Sequence, residues 1–405
     1  MRNFLPLMLL SLLILSSFVI VFNVVSASEF VANSWNTKAP MTQARAGLGV
    51  VAVEGKIYAI GGYTDGGWSG MNNGYTGINE RYDPKTDTWS TMMSMPTPRR
   101  NFAIAAYQGK IYCMGGEAPY DEMGSPVLCG VTEVYDVATD IWSTKASIPL
   151  SMVGTQGYVM GSVKGHVVDG KIFVIAYHRL YMYDPVTDIW TDKPAPPLEF
   201  AERASSVVDN KILYAGNIIK GNIITNSGDE DGVPRAVGWT GSMKITIYDP
   251  ATNEWTCEKA ETTITSGNGD AGTTTGIYAP QRVYILGALT NNNVYDLATD
   301  TWTRGTSMPS SRQNFGIAVV DDVLYVIGGS PLGGTPLDIN EQYIPIDYYR
   351  STSTPPETSE TTDTSNTPDH YRNSSLLITT AVAVIVIAIV LITTGLFFYF
   401  RKKVP

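Results

Sequence analysis

Between Met95 and Trp142 the apolar and polar positions fall into four short blocks. Phe102–Tyr107 is apolar and stops at Gln108-Gly109. A second apolar run closes on Gly115-Gly116. After a variable stretch come Glu133-Val134-Tyr135-Asp136, a short turn, and Trp142. Runs this short, bounded by Gly and Asp turn signals, predict strands rather than helices. The pattern recurs. Aligned on it, the tryptophans are Trp35, Trp89, Trp142, Trp190, Trp255 and Trp302, and the tyrosines are Tyr82, Tyr135, Tyr183, Tyr248, Tyr295 and Tyr343. Successive tyrosines stand 53, 48, 65, 47 and 48 residues apart. A period near 50 with four strands per unit is that of a propeller blade.

The turns support this reading. Glu54-Gly55, Gln108-Gly109, Asp169-Gly170, Asp209-Asn210 and Asp321-Asp322 separate first and second strands and suit tight hairpins that need positive φ. The fifth copy departs, with Ala279-Pro280-Gln281. Third and fourth strands are joined by Asp-x-x-Thr-Asp turns such as Asp83–Asp87 and Asp136–Asp140, in which the leading Asp bonds the backbone. Trp35 has no strands before it, and the last copy (Arg312 to Ile346) has three strands and no Trp. The strand around Trp35 is therefore expected to complete the last blade, which leaves no long open edge.

An Arg, two apolar strands ending in Gly-Gly, then Tyr-Asp and Trp resemble the kelch repeat, over about Ser34 to Ile346. Gly61-Gly62, Gly115-Gly116 and Gly328-Gly329 match its signature; Ala176-Tyr177, Gly216-Asn217 and Gly287-Ala288 are degenerate. The resemblance implies an all-β, six-bladed kelch-type β-propeller over residues 28–350, closed by the N-terminal strand.

Strand alternation sorts the loops. The tight hairpins and Asp-x-x-Thr turns share one end. The Gly-Gly loops, which carry the length variation (Tyr63–Ile78, Glu117–Val131, Asn217–Lys244, Ser330–Ile339), share the other. Binding is expected at the variable end. There Arg45, Arg99, Arg203 and Arg312 are read as a ring of guanidinium groups for carboxylate, sulfate or phosphate. The competing reading has each Arg bonding carbonyls of the adjacent blade. Trp68, Tyr75, Tyr120 and Trp239 stand in the long loops, placed to stack on sugars or anchor a protein partner, or to pack within their loops. Asp229-Glu230-Asp231-Gly232 lacks the alternating spacing of a calcium loop and reads as a solvated tip.

Charge and the chain ends place the propeller. The formal net charge is −10, and no basic block stands outside the extreme C-terminus, which argues against nucleic acid as a partner. Residues 1–27 read as a signal peptide: Arg2, an apolar run from Leu5 to Val25, and small residues Val25-Ser26-Ala27. An uncleaved anchor is the alternative. Residues 351–375 are dense in Ser, Thr and Pro and read as a disordered stalk, with a glycosylation sequon at Asn373 close to the membrane. Residues 376–400 are 25 residues without a charge, long enough for one transmembrane helix. Arg401-Lys402-Lys403 then mark the tail (401–405) as cytoplasmic. The expectation is a single-pass type I protein of the cell membrane, its propeller on the extracytoplasmic side.

Catalytic signatures are sparse. Three histidines (His166, His178, His370) are present, with neither Gly-x-Ser-x-Gly nor His-Glu-x-x-His, and no metal or cofactor is expected. Cys113 and Cys129 flank one loop, and export permits a disulfide between them; Cys257 reads as a small buried residue. The leading expectation is a cell-surface module for an extracellular protein or glycan. The alternatives are a surface carbohydrate-active enzyme, epimerase-like or oxidase-like, and an envelope structural protein with no small ligand.

Overall fold

A computed structural model describes residues 31–64, 74–119, 127–149, 164–176, 179–196, 200–218, 223–224, 235–236, 243–262, 269–287 and 290–349. The signal peptide, stalk, membrane span and tail expected from the sequence lie outside the described residues.

Among the described residues six four-stranded antiparallel sheets form the blades of a propeller. Blade 1 is β2 (Gly49–Val53), β3 (Lys56–Ile60), β4 (Asn79–Asp83) and β5 (Thr88–Met92). Blade 2 is β6 (Ala103–Tyr107), β7 (Lys110–Met114), β10 (Thr132–Asp136) and β11 (Ile141–Lys145), with the small β8 (Glu117–Ala118) and β9 (Val127–Leu128) pairing in its loop. Blade 3 is β12 (Lys164–Val168), β13 (Lys171–Ala176), β14 (Arg179–Asp184) and β15 (Ile189–Lys193). Blade 4 is β16 (Phe200–Val208), β17 (Lys211–Ile218), β20 (Met243–Asp249) and β21 (Glu254–Thr262), with β18 (Ile223–Ile224) and β19 (Arg235–Ala236) paired beside it. Blade 5 is β22 (Asp270–Thr273), β23 (Val283–Leu286), β24 (Asn292–Asp296) and β25 (Thr301–Arg304). Blade 6 joins β26 (Gly316–Val320), β27 (Val323–Ile327) and β28 (Asn340–Ile344) to β1 (Ser34–Lys38), so the first strand of the chain closes the ring in the register Trp35 to Tyr343.

The innermost strands touch in cyclic order, β2, β6, β12, β16, β22, β26 and back to β2. Six apolar clusters fill the six blade boundaries. The second strand of each blade thus buries one face on either neighbour, which is why its apolar positions run nearly without interruption, whereas the outermost strands stay largely exposed. In all six blades the Tyr and Trp rings pack 4.9–5.1 Å apart.

Turn chemistry recurs residue by residue. The hairpin residues Glu54, Gln108, Asp169, Asp209 and Asp321 have φ between 48° and 52°, and the residues after them are also left-handed, the geometry of a two-residue hairpin. The last Asp or Asn of each Asp-x-x-Thr turn (Asp87, Asp140, Asp188, Asn253, Asp300) is left-handed too and accepts the hydroxyl of its blade's Tyr. Asp87, Asp140 and Asp188 also accept a backbone N–H from the neighbouring linker.

Blade 5 lacks the tight hairpin, and blade 6 supplies the remedy. Asp322, buried in the blade 6 hairpin, accepts the backbone N–H groups of Thr275, Ile277, Tyr278 and Ala279 and the Thr275 hydroxyl. On the same loop Tyr278 accepts the N–H of Tyr349 and packs on Tyr348, while Arg282 pairs with Asp347. The described residues end here, at Tyr349 on the hairpin end.

Candidate functional site

The three arginines of the well-formed repeats do not reach the surface. Arg45 and Arg99 are 0% exposed and Arg312 is 1% exposed. Each guanidinium lies within its own blade and bonds the backbone of the second strand and its Gly-Gly end: Arg45 to Ala59, Gly61 and Ile78; Arg99 to Cys113; Arg312 to Val326 and Gly328. Each also pairs with a buried Glu of the third strand, Glu80, Glu133 or Glu341. A hydroxyl from Thr42, Thr97 or Ser310 bonds that Glu in turn. Burial pulls the Arg45 and Arg312 pKa values down from the ordinary guanidinium range, and Glu80 and Glu341 oppose the fall. The terminal guanidinium nitrogens are committed and all three groups are buried, though the Nε of Arg45 and of Arg99 has no partner among the described residues, so Arg45, Arg99 and Arg312 form structural latches and not the anion-binding ring read from the sequence. The carbonyls they bond are those of their own blade, not the adjacent one.

Arg203 belongs to a different register. The latch arginines stand four residues before Gly49, Ala103 and Gly316, the first residues of their innermost strands. Arg203 immediately precedes Ala204, which pairs with Ala215 as those residues pair with Ile60, Met114 and Ile327. It falls within β16 at a β-bulge between Glu202 and Ala204. Its blade has Thr246 where the latch blades have Glu, two residues before the Tyr. Of the loop aromatics, Trp68, Tyr120 and Trp239 lie outside the described residues, as do His178, His370 and the Asp229–Gly232 tip.

Tyr75 is described, and it belongs to a cluster organised by a residue the sequence reading passed over. Arg100 follows the latch Arg99. Its backbone pairs with Glu117 across the mouth of the Gly-Gly loop, as Ala46 does with Tyr63 and Gln313 with Ser330. Arg100 Nε donates to Glu117 Oε2 at 2.8 Å, and its guanidinium lies 5.2 Å from the ring centres of both Tyr63 and Tyr75 in blade 1. Asn101 donates to the other Glu117 oxygen. The cluster joins the loops of blades 1 and 2 with a half-buried cation between two aromatic faces, an arrangement favourable beyond the ion pair alone. The doubled Arg99-Arg100 was the available signal, since only one of two adjacent residues can turn inward to the latch.

Along the axis runs a cavity of about 370 Å³ lined by all six innermost strands. Among the described residues no three His, Cys, Asp or Glu side chains come together as a metal site. Cys113 and Cys129 are separate buried thiols rather than a disulfide. Cys257 lies on β21.

The kelch motif matches residues 44–96 and 98–149. Kelch-like protein 36 of Bos taurus is 25% identical over 290 residues, covering 69% of this chain and 43% of that protein. The influenza virus NS1A-binding protein homolog of Mus musculus is 40% identical over 77 residues, covering 19% of this chain and 11% of that protein. The solved structure of YjhT superposes with a TM-score of 0.54 at 14% identity, covering 74% of this chain and 95% of that one; at that identity the likeness concerns the fold. This chain carries kelch motifs in its first two blades and folds, over its described residues, as a six-bladed β-propeller. It spans less than half the length of the curated relatives it matches.

Proposed function

We propose that the propeller is a protein-binding module displayed on the outer face of a cell membrane, with its partner meeting the Gly-Gly loop end. The observation that carries this is the contrast between the two ends. At the hairpin end the charged groups recur as Lys–Asp or Arg–Asp pairs in blades 1 to 5 and the turns are short. The Gly-Gly end holds the loops of unequal length and the Arg100–Tyr63–Tyr75–Glu117 cluster. Half-buried Arg and Tyr side chains on a rigid rim are the kind that dominate protein interfaces. The kelch relatives and the name of the NS1A-binding protein homolog support a protein ligand. The apolar segment 376–400 and its basic stop support anchorage by one helix.

The test is a binding screen of the purified full chain against extracellular protein and glycan arrays, repeated with Arg100→Ala and with a hairpin-end control, Lys85→Ala. A protein ligand lost with Arg100→Ala and kept with Lys85→Ala is expected. Loss only with the hairpin-end change places the site at the wrong end. Turnover of a bound sugar replaces the module with the carbohydrate-active enzyme.

A further inference from the structure

The axial channel has two unlike walls. On the side of blades 6, 1 and 2 it is lined by Ile317, Val50 and Ile104, with Asn101 and Asn314 also in the lining, and the boundaries between those inner strands are closed by glycine. A Cβ on Gly316 would lie 2.4 Å from Val50 Cγ2, and one on Gly49 would lie 2.7 Å from the Phe102 ring. On the side of blades 3, 4 and 5 the lining includes His166, Ser205, Ser206, Asp270 and Thr273 beside glycine and aliphatic positions. Here hydrogen bonds span the boundaries. His166 Nε2 and Ser205 Oγ are 2.9 Å apart across blades 3 and 4, and Ser206 Oγ and Thr273 Oγ1 are 2.6 Å apart across blades 4 and 5. Asp270 Oδ2 accepts the Ile317 N–H at 3.2 Å across blades 5 and 6.

The boundaries between β26, β2 and β6 show that this ring can close inner seams with glycine against apolar side chains. The second wall instead brings three hydroxyls, an imidazole and a carboxylate to a shared cavity. Hydroxyls and a neutral imidazole both donate and accept, so the wall is complementary to groups that do the same. A ligand hydroxyl meets that condition, whereas a carboxylate only accepts and an ammonium only donates. The opposite wall suits a flat C–H face. A volume of about 370 Å³ lies at the small end of ligand pockets.

We propose that the channel is a binding site for a small cyclic polyol, its hydroxyl edge toward His166, Ser206 and Thr273 and its C–H face toward Val50, Ile104 and Ile317. This site adjoins the loop-end cluster at Asn101, which lines the channel and bonds Glu117, but does not rest on the partner that surface takes.

The experiment is saturation-transfer NMR with calorimetry on the purified full chain, using myo-inositol and D-glucose as probes and D-glucuronate as the anionic comparator. Binding of a neutral probe is expected, weakened roughly fivefold to tenfold by Thr273→Val and abolished by Ala106→Phe, which adds a ring at a channel-lining position. Urea unfolding checks both variants. Should Thr273→Val not fold, Ala106→Phe decides. Three results overturn the proposal: no binding of either neutral probe at millimolar concentration, binding retained by Ala106→Phe, or a preference for glucuronate. Lys85→Ala, on a hairpin-end turn remote from the channel lining, is expected to leave polyol binding unchanged.

Discussion

The hydroxyl of Tyr343 donates to Oδ1 of Asn33 at 2.7 Å, across 310 residues of chain. In the other five blades the same Tyr bonds the Asp or Asn five residues after it. Asn33 also shares the left-handed φ of those residues, at 55°, and like three of them it accepts a backbone N–H from the neighbouring linker, here that of Thr306. The closing blade therefore rebuilds a local turn from the two ends of the chain. Asn33→Ala removes an acceptor from a buried phenol and from Thr306 together. It is expected to destabilise the fold by about 2 kcal/mol, read as a lower urea midpoint. Tyr82→Phe, which deletes one such bond inside a continuous blade, should cost less.

Adjacent arginines should behave oppositely. Arg99→Ala strands Glu133 in the core and is expected to cost about 3–5 kcal/mol, whereas the double change Arg99→Met, Glu133→Leu should recover much of the loss. Arg100→Ala, at the half-buried mouth, should cost about 1 kcal/mol and act on partner binding instead. Urea unfolding and the array screen separate the two roles.

Acid should loosen the boundary between blades 5 and 6. Burial pushes the Asp322 pKa up, but the bonds from Thr275, Tyr278 and Ala279 outweigh it and hold the value below the ordinary range. An aspartate depressed in the folded state contributes its stability in full above its unfolded pKa, about 4, and loses it as pH falls through the folded value. Stability should therefore drop below about pH 4, with amides 275–279 gaining hydrogen exchange first. Asp322→Asn should flatten that acid limb.

Gly316→Ala places a methyl 2.4 Å from Val50 Cγ2, at an ordinary strand φ, so the effect is overpacking alone. A loss of about 1–3 kcal/mol is expected. Restoring volume with Val50→Ala in the same chain should return part of it, which a double-mutant cycle would measure.

Burial pushes the Cys113 thiol up to about 12, against the opposing charge of Arg99. The thiolate is the reactive form, so Cys113 should resist iodoacetamide at pH 8 in the native protein and react in urea. Mass spectrometry of the alkylated peptide checks this.

The hairpin residues were legible because each turn depends on adjacent positions, the blade count because the same signals recur in every repeat, and the closing strand because the repeat array begins with a lone Trp strand and ends one strand short. The fate of the arginines was not. A guanidinium's exposure depends on a partner some 30 residues away, and the partner is recognisable only once the register is known. A subtler sign was present. Glu two residues before the Tyr occurs in blades 1, 2 and 6, the same blades that carry Arg and Gly-Gly. Arg203 was misaligned for a related reason, since counting back from a degenerate Gly-Asn pair conceals a bulge. Asp322 looked like half of a hairpin because its donors come from another blade. Tyr75 was found as a loop aromatic, but its cation came from Arg100, a residue overshadowed by its neighbour.

The chain's course up to Tyr349 has a mechanical consequence. The strand just before it, β28, is an interior strand, held on one side by β27 and on the other by β1. Tension applied beyond Tyr349 along that strand would load both rows of hydrogen bonds in shear rather than peel them one at a time. The last contacts along it, Arg282–Asp347 and Tyr278–Tyr349, would bear the load first and act as a strain relief for the ring.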